Sequence, residues 1–214
     1  PKDGGLKQEE IPLDILHSFD KIPTEVRPSA LAASEEIAGI IIDAVNAHGS
    51  GKPFKLGLTT GRTPYTLYRL LVKACNEGKV SFANVEIFSI DEYYPISSDA
   101  KQSRNCRLHD EILNLIDVRK ENIHIPDGTV SKKDIREYCA AFDEAARDMD
   151  LLVVGIGEHG QVGFNESGSS WLSPTRVVQM PYASRKRQAK NFNGDMAETP
   201  SAAITMGLST MMTA

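Results

Sequence analysis

Phe54-Lys55-Leu56-Gly57-Leu58-Thr59-Thr60-Gly61-Arg62-Thr63-Pro64 decides the fold. Phe54 to Thr59 reads as a short apolar strand, and the turn from Thr60 to Pro64 leads into a helix. Thr63 suits the N-cap and Pro64 the first helical position, where the missing N–H costs nothing. Leu67, Leu70, Leu71 and Ala74 then fall on one face of that helix.

The same strand–turn–helix cycle recurs on either side. A helix is predicted from about Pro28 to His48, with Leu31, Ile37, Ile40, Ile41 and Val45 near a helical period and Gly49 to end it. Residues 1 to about 22 are polar with a short apolar patch, read as an arm or a first strand. Downstream, Val85 to Ile90 is a strand with Asp91-Glu92-Tyr93-Tyr94 at its end. A helix near Arg107 to Leu115 and a brief strand at Ile123 to Ile125 follow. Ser131 can cap a helix whose inner face is Ile135, Tyr138, Cys139 and Phe142. Leu151 to Val154 does not alternate, which suits a strand covered on both faces. Thr175 to Met180 and Ala202 to Met206 read as two more strands. Strands alternating with helices predict an α/β fold, a doubly wound, mostly parallel open sheet with helices on both faces, Rossmann-like in kind. No repeat, low-complexity tract or linker divides the chain, so residues 1–214 are read as a single domain.

Composition bounds the function. The 214 residues are 41% hydrophobic and 25% charged, ordinary for a globular protein. A net charge of -5 gives no basic field to hold nucleic acid, and any phosphate site must be local. The three cysteines, Cys75, Cys106 and Cys139, are odd in number and widely spaced, unlike a disulfide framework or a zinc site. The five histidines are scattered, and no spacing resembles a metal site. No apolar run is long enough to span a membrane, and Pro-Lys-Asp-Gly-Gly at the start lacks a signal pattern; a cytoplasmic enzyme is expected.

In a sheet of this kind, ligands sit beyond the carboxyl ends of the parallel strands. Three segments are expected there. Thr60, Gly61, Arg62 and Thr63 form either an anion cradle at a helix N-terminus or a plain helix cap with Arg62 exposed. Asp91 and Glu92 offer a carboxylate that could move a proton at carbon next to a carbonyl, or else are solvated acids or caps. The loop Gly155-Ile156-Gly157-Glu158-His159-Gly160-Gln161-Val162-Gly163-Phe164-Asn165-Glu166 is rich in glycine. His159 there could exchange a proton with a ligand and Glu166 could orient it; the alternative is a structural turn with an exposed histidine.

Read together, these segments resemble the glucosamine-6-phosphate deaminase/isomerase family, related in fold to the 6-phosphogluconolactonases. The resemblance runs from about residue 28 to the end. Leu58 to Pro64 is similar to the family's phosphate loop, Ile90-Asp91-Glu92-Tyr93 to its catalytic-base segment, and Gly155 to Glu166 to its ring-opening loop. Thr175-Arg176 and Lys190-Asn191-Phe192 fit a later region. The Phe164-Asn165-Glu166 ending favours the deaminase branch over the lactonase branch.

The resemblance implies an enzyme, a hydrolase acting on a C–N bond with aldose–ketose isomerisation. It would turn an amino-sugar 6-phosphate such as glucosamine 6-phosphate into a ketose 6-phosphate plus ammonium. Asp91 would shuttle a proton between C1 and C2, and Glu166 would support the histidine that opens the ring. No redox cofactor and no metal are implied. The expected partner is a small-molecule sugar phosphate, without nucleic acid or membrane, and assembly as a homo-oligomer is left open.

The sequence departs from the family at three places. His159-Gly160-Gln161 stands where the family reads Asp-Gly-His, so Gln161 occupies the position of the ring-opening histidine and His159 that of the supporting acid. Lys190 replaces a phosphate-binding arginine, keeping the charge without the bidentate fork. The resemblance implies a further strand–helix unit past Ala214 that carries another phosphate lysine, so Ala214 is read either as the true end or as a point of truncation. Ser169 and Arg176 match part of an effector site of some members, but Val178 stands where a lysine is expected, which speaks against allosteric control. Two competing readings follow: a non-catalytic sugar-phosphate-binding protein, suggested by Gln161, and a lactonase-like hydrolase.

Overall fold

A computed structural model describes residues 23–49 and 51–214; the expected N-terminal arm lies outside them. The first helix among the described residues, α1, runs Ala30–Ala47. Ser29 caps it, its hydroxyl accepting the N–H of Ala32 at 3.1 Å. Its buried face is Ser34, Ala38 and Ile41, whereas Leu31, Ile37 and Ile40, expected inside, are exposed. Apolar residues on both sides of this helix blur its period, and small residues on the inner face let it approach α2, Tyr65–Asn76, closely.

Strands β1, Phe54–Leu58, and β2, Val85–Ser89, form the centre of a four-stranded sheet. With β4, Ile123–His124, and β5, Leu151–Leu152, the order is β4-β2-β1-β5, all parallel. Helices cover both faces, as strand alternation requires. Leu56, Leu58 and Ile87 pack with Leu67, Tyr68 and Leu71 of α2 and with Leu108 of α3, Arg104–Glu111. On the opposite face Phe88 and Ile90 pack against Phe142 and Ala146 of α4, Ile135–Ala146, and Met211 of α6, Leu208–Met211. Each of these fully buried aliphatic side chains contributes roughly 1.5–3 kcal/mol.

The structure corrects several local expectations. Strand β5 lies at a sheet edge and is half-buried, not covered on both faces. Helix α2 begins after Pro64, and Thr63 makes no capping hydrogen bond. Helix α4 begins after Asp134, and the Ser131 hydroxyl donates to the Asp134 carboxylate at 2.6 Å instead of capping the helix. Helix α3 begins at Arg104, one turn earlier than the apolar pattern suggested, because Ser103 accepts the N–H of Cys106 at 2.9 Å.

The largest correction concerns Asp91 to Tyr94. These residues form strand β3 of a second, antiparallel sheet of order β3-β7-β6, with β6 at Arg176–Gln179 and β7 at Ala202–Thr205. Ile90 joins the two sheets. Its N–H donates to Leu58 O at 3.2 Å in the parallel sheet, and its carbonyl accepts from Met206 N at 2.7 Å beside the antiparallel one.

Candidate active site

The three expected segments follow β1, β2 and β5 and so leave the same edge of the parallel sheet. A mostly apolar cleft of about 160 Å³ beside them is lined by Ala33, Ser34 and Ile37 of α1, by Thr59 and Thr63 of the first segment and by Val153 to Gly155 leading into the third; Asp91 does not line it. Tyr68 of α2 connects the first segment to the second. Its hydroxyl donates to Thr59 O, and it lies within electrostatic reach of Asp91. Burial, chiefly, pushes its phenol up, so it stays a neutral donor.

In the turn, Thr60 Oγ1 is buried and has no hydrogen-bond partner among the described residues. Arg62 and Thr63 are exposed, and Gly61 has φ 150°. A buried hydroxyl without a partner is costly, and here it stands just before the N-terminus of α2, where anions are favoured.

Asp91 is 5% exposed and Glu92 1%, yet the two carboxylates are used differently. Glu92 accepts the backbone N–H groups of Tyr93 at 2.8 Å, Arg104 at 2.9 Å and Asn105 at 2.9 Å. It therefore satisfies donors at the start of α3 that the helix cannot pair internally. Burial raises its carboxyl and these bonds oppose the rise. Asp91 Oδ1 has no hydrogen-bond partner among the described residues, and its charged neighbour is Arg104, with Nε at 3.5 Å. Burial raises the Asp91 carboxyl above the usual range, and the guanidinium offsets part of that rise. A carboxylate with a spare lone pair and a raised affinity for protons has the properties of a general base.

The glycine-rich loop meets Asp91 at Gly163. That residue has φ 58°, and a Cβ there would lie 2.9 Å from Thr205 Oγ1 and 3.6 Å from Asp91 Oδ2. The loop is held by Asn165, whose Nδ2 donates to Met206 O at 2.8 Å, and by Phe164, whose N–H donates to Thr205 Oγ1 at 3.1 Å. Thr205 is the register partner of both Asp91 and Arg176, so β7 fixes the loop and the carboxylate together.

Gln161 is buried within its own loop. Its Oε1 accepts the N–H of His159 at 3.0 Å, and its side chain fills the space beside Gly157. His159 is exposed, and Glu166 accepts a hydrogen bond from the Ser184 hydroxyl on α5, Tyr182–Gln188. Lys190 is exposed in the short 3-10 helix Ala189–Asn191 that follows α5. Arg176 donates to Asn165 Oδ1 at 2.9 Å and to Ser169 Oγ at 3.2 Å, which brings together the two residues noted for an effector site.

The sequence reading missed Arg104. It is 7% exposed at the start of α3, and its guanidinium lies 4.7 Å from the Tyr93 ring centroid and 5.7 Å from that of Phe164. A signal was present: Ser103 is a good N-cap, which would have moved the helix start onto Arg104.

Comparison with known proteins adds to this geometry. The sequence profile of glucosamine-6-phosphate isomerases/6-phosphogluconolactonase matches residues 27–191. Glucosamine-6-phosphate deaminase of Tolumonas auensis is 40% identical over 182 residues, covering 83% of this chain and 68% of that protein. A glucosamine-6-phosphate deaminase-like protein of Bacteroides thetaiotaomicron is 36% identical over 202 residues, which span 92% of this chain but 30% of that longer one. The structure of a monomeric glucosamine-6-phosphate deaminase superposes with a TM-score of 0.79 at 31% identity, covering 87% of this chain and 76% of the other.

Proposed function

This chain belongs to the family of glucosamine-6-phosphate isomerases and 6-phosphogluconolactonases, and on that premise we propose that it converts an amino-sugar 6-phosphate, such as glucosamine 6-phosphate, to a ketose 6-phosphate plus ammonium. The observation that carries the proposal is Asp91: a buried carboxylate with an unpaired oxygen, beyond the carboxyl edge of the parallel sheet, against the loop at Gly163.

Asp91 takes the proton from C2 of the open-chain aldosamine and returns it to C1. A proton passes from the C2 amine to O1 as this happens, so the amine becomes an imine and the aldehyde an alcohol; water then hydrolyses the imine to the ketone with release of ammonium. A base so nearly buried is strong because water does not stabilise its charge. The phosphate is assigned to Thr60, Gly61, Arg62 and Thr63 with the N–H groups opening α2, and Lys190 supplies a further positive charge. Thr60 Oγ1 is a donor without another partner among the described residues, which supports that assignment. Ring opening is assigned to His159, the titratable imidazole of the glycine-rich loop. Gln161 holds the His159 backbone through its amide oxygen, and Glu166 anchors the loop's far end on α5. The reading carries with it a cytoplasmic setting and action as one domain; among the described residues no helix is long and apolar enough to cross a membrane.

The test is ammonium release from glucosamine 6-phosphate and galactosamine 6-phosphate, measured side by side with deuterium incorporation at C2 in heavy water. Release with exchange is the expected result. Sugar-phosphate binding with neither would overturn the proposal and leave a binding protein.

A further inference from the structure

We propose that Arg104 is a positioning residue for proton transfer, its guanidinium fixing the Asp91 carboxylate and keeping it negatively charged; this rests on the reading of Asp91 as the base. Arg104 is built into the site from several sides. Its Nε lies 3.5 Å from Asp91 Oδ1, and neither atom has a hydrogen-bond partner among the described residues. At that separation the attraction is coulombic, so the carboxylate oxygen stays free to accept a proton. The guanidinium carbon lies over the rings of Tyr93 of β3, at 4.7 Å, and Phe164 of the glycine-rich loop, at 5.7 Å. Its Nη2 reaches Gln188 Oε1 at 3.5 Å, an oxygen that also accepts from Tyr93 Oη at 2.6 Å and from Asn191 Nδ2 at 3.1 Å. One side chain thus touches the base segment, the loop and the segment leading to Lys190.

Fold stability alone does not account for this arrangement. A buried ion pair is often no more stable than apolar side chains of the same volume. Its chemical effect at Asp91, however, is direct. Burial drives the carboxyl towards its neutral form, which cannot accept a proton, and the guanidinium is the positive charge opposing that. The other groups facing Asp91 do not help. Glu92 and Tyr93 on β3 and Tyr68 on α2 are acidic or neutral, while Gly163 and Thr205 from the loop and β7 carry no charge. Burial works against the charge of Arg104 too, but Asp91, with Glu92 and Glu111, more than offsets it, so the cation persists. Arginine suits the position because a broad, flat guanidinium can meet two rings while its N–H groups point towards two acceptors, which an ammonium does not do.

The experiment compares wild type with Arg104→Met, Arg104→Gln and Arg104→Lys, following kcat/KM and C2 deuterium exchange against pH. Removing a positive charge this close moves a carboxyl up by about 1–3 pH units. The acid limb of both profiles is therefore expected to move up by about that much in Arg104→Met and Arg104→Gln. Their deficit should be largest at low pH and shrink as pH rises. Arg104→Lys should leave the limb in place with a lower kcat. Arg104→Gln, which keeps length and a donor, covers the case in which Arg104→Met does not fold. A loss that is equal at every pH, with the limb unmoved in the neutral variants, would overturn the proposal and leave Arg104 as packing alone. Absence of exchange in wild type would instead sink the underlying assignment of Asp91, a distinct outcome.

Discussion

Gly163 leaves just enough room beside Asp91, across two segments far apart in sequence: a methyl group at Gly163 would lie 3.6 Å from Asp91 Oδ2 and 2.9 Å from Thr205 Oγ1. The backbone there also has φ 58°, where a side chain adds strain. Gly163→Ala is expected to cost about 1–2 kcal/mol in urea unfolding and to displace the loop from the base. Activity should fall more than stability explains. A variant with wild-type kcat would show that the fit is incidental.

Asp91→Asn keeps the shape and removes the proton acceptor. C2 exchange and ammonium release should drop to background, while affinity for the sugar phosphate stays within about threefold. Isothermal titration beside the exchange assay separates the two effects. Residual turnover near wild type would assign the base elsewhere.

The same carboxyl makes stability depend on pH. Its folded form binds the proton more tightly than an unfolded aspartate does, since burial raises it. Its contribution is therefore fully present below the ordinary carboxylate range and is lost as pH rises through the folded value. Other acids also titrate in that window, so the informative quantity is wild type minus Asp91→Asn. That difference in unfolding free energy should decline from about pH 4 towards neutrality.

Glu92 is expected to act through structure. Glu92→Ala removes acceptors for three backbone N–H groups at β3 and the start of α3, and should destabilise the fold by about 2–3 kcal/mol. Urea midpoints for Glu92→Ala and Glu92→Gln measure this, with the amide variant falling between alanine and wild type. An unchanged midpoint for the alanine variant would remove the capping role.

In the loop, His159→Gln should lower turnover of the cyclic substrate while leaving C2 exchange of open-chain substrate close to wild type. Gln161→His restores an imidazole where the family carries one and is expected to raise turnover, provided the N–H of His159 keeps an acceptor. Equal effects on cyclic and open-chain substrates would take His159 out of ring opening.

At the turn, Thr60→Val keeps the shape and deletes the buried hydroxyl without a partner. Affinity for the phosphorylated sugar should fall about tenfold, the loss of one hydrogen bond to a charged ligand, with no change for the unphosphorylated sugar. Equal affinity of wild type for the two sugars would move the phosphate away from this turn.

Local chemistry made much of this architecture legible. An apolar strand followed by Thr60-Gly61-Arg62-Thr63-Pro64 reads as a strand, a turn and a helix start, and β1 and α2 lie within one residue of where that reading put them. Strand β3 was harder to see because its partner is β7, more than a hundred residues on, and no local pattern encodes that pairing. Arg104 was missed for a similar reason. A charged residue in a polar stretch reads as solvated, and only packing by Tyr93 and Phe164 removes it from water. Nor did the spacing of His159 and Glu166 show that Ser184, from another element, would be the carboxylate's partner.

Ile90 gives its N–H to one sheet and its carbonyl to the other, so the residue beside it cannot follow either sheet alone. This divides the molecule for anyone who would alter it. Loop residues on the rim, outside the positions assigned to phosphate binding and ring opening, can be exchanged without moving that frame. A change at the seam shifts the reference point from which every reacting distance is measured. Directed evolution of a new specificity should therefore accumulate its substitutions on the rim and leave Ile90 and its two partners untouched.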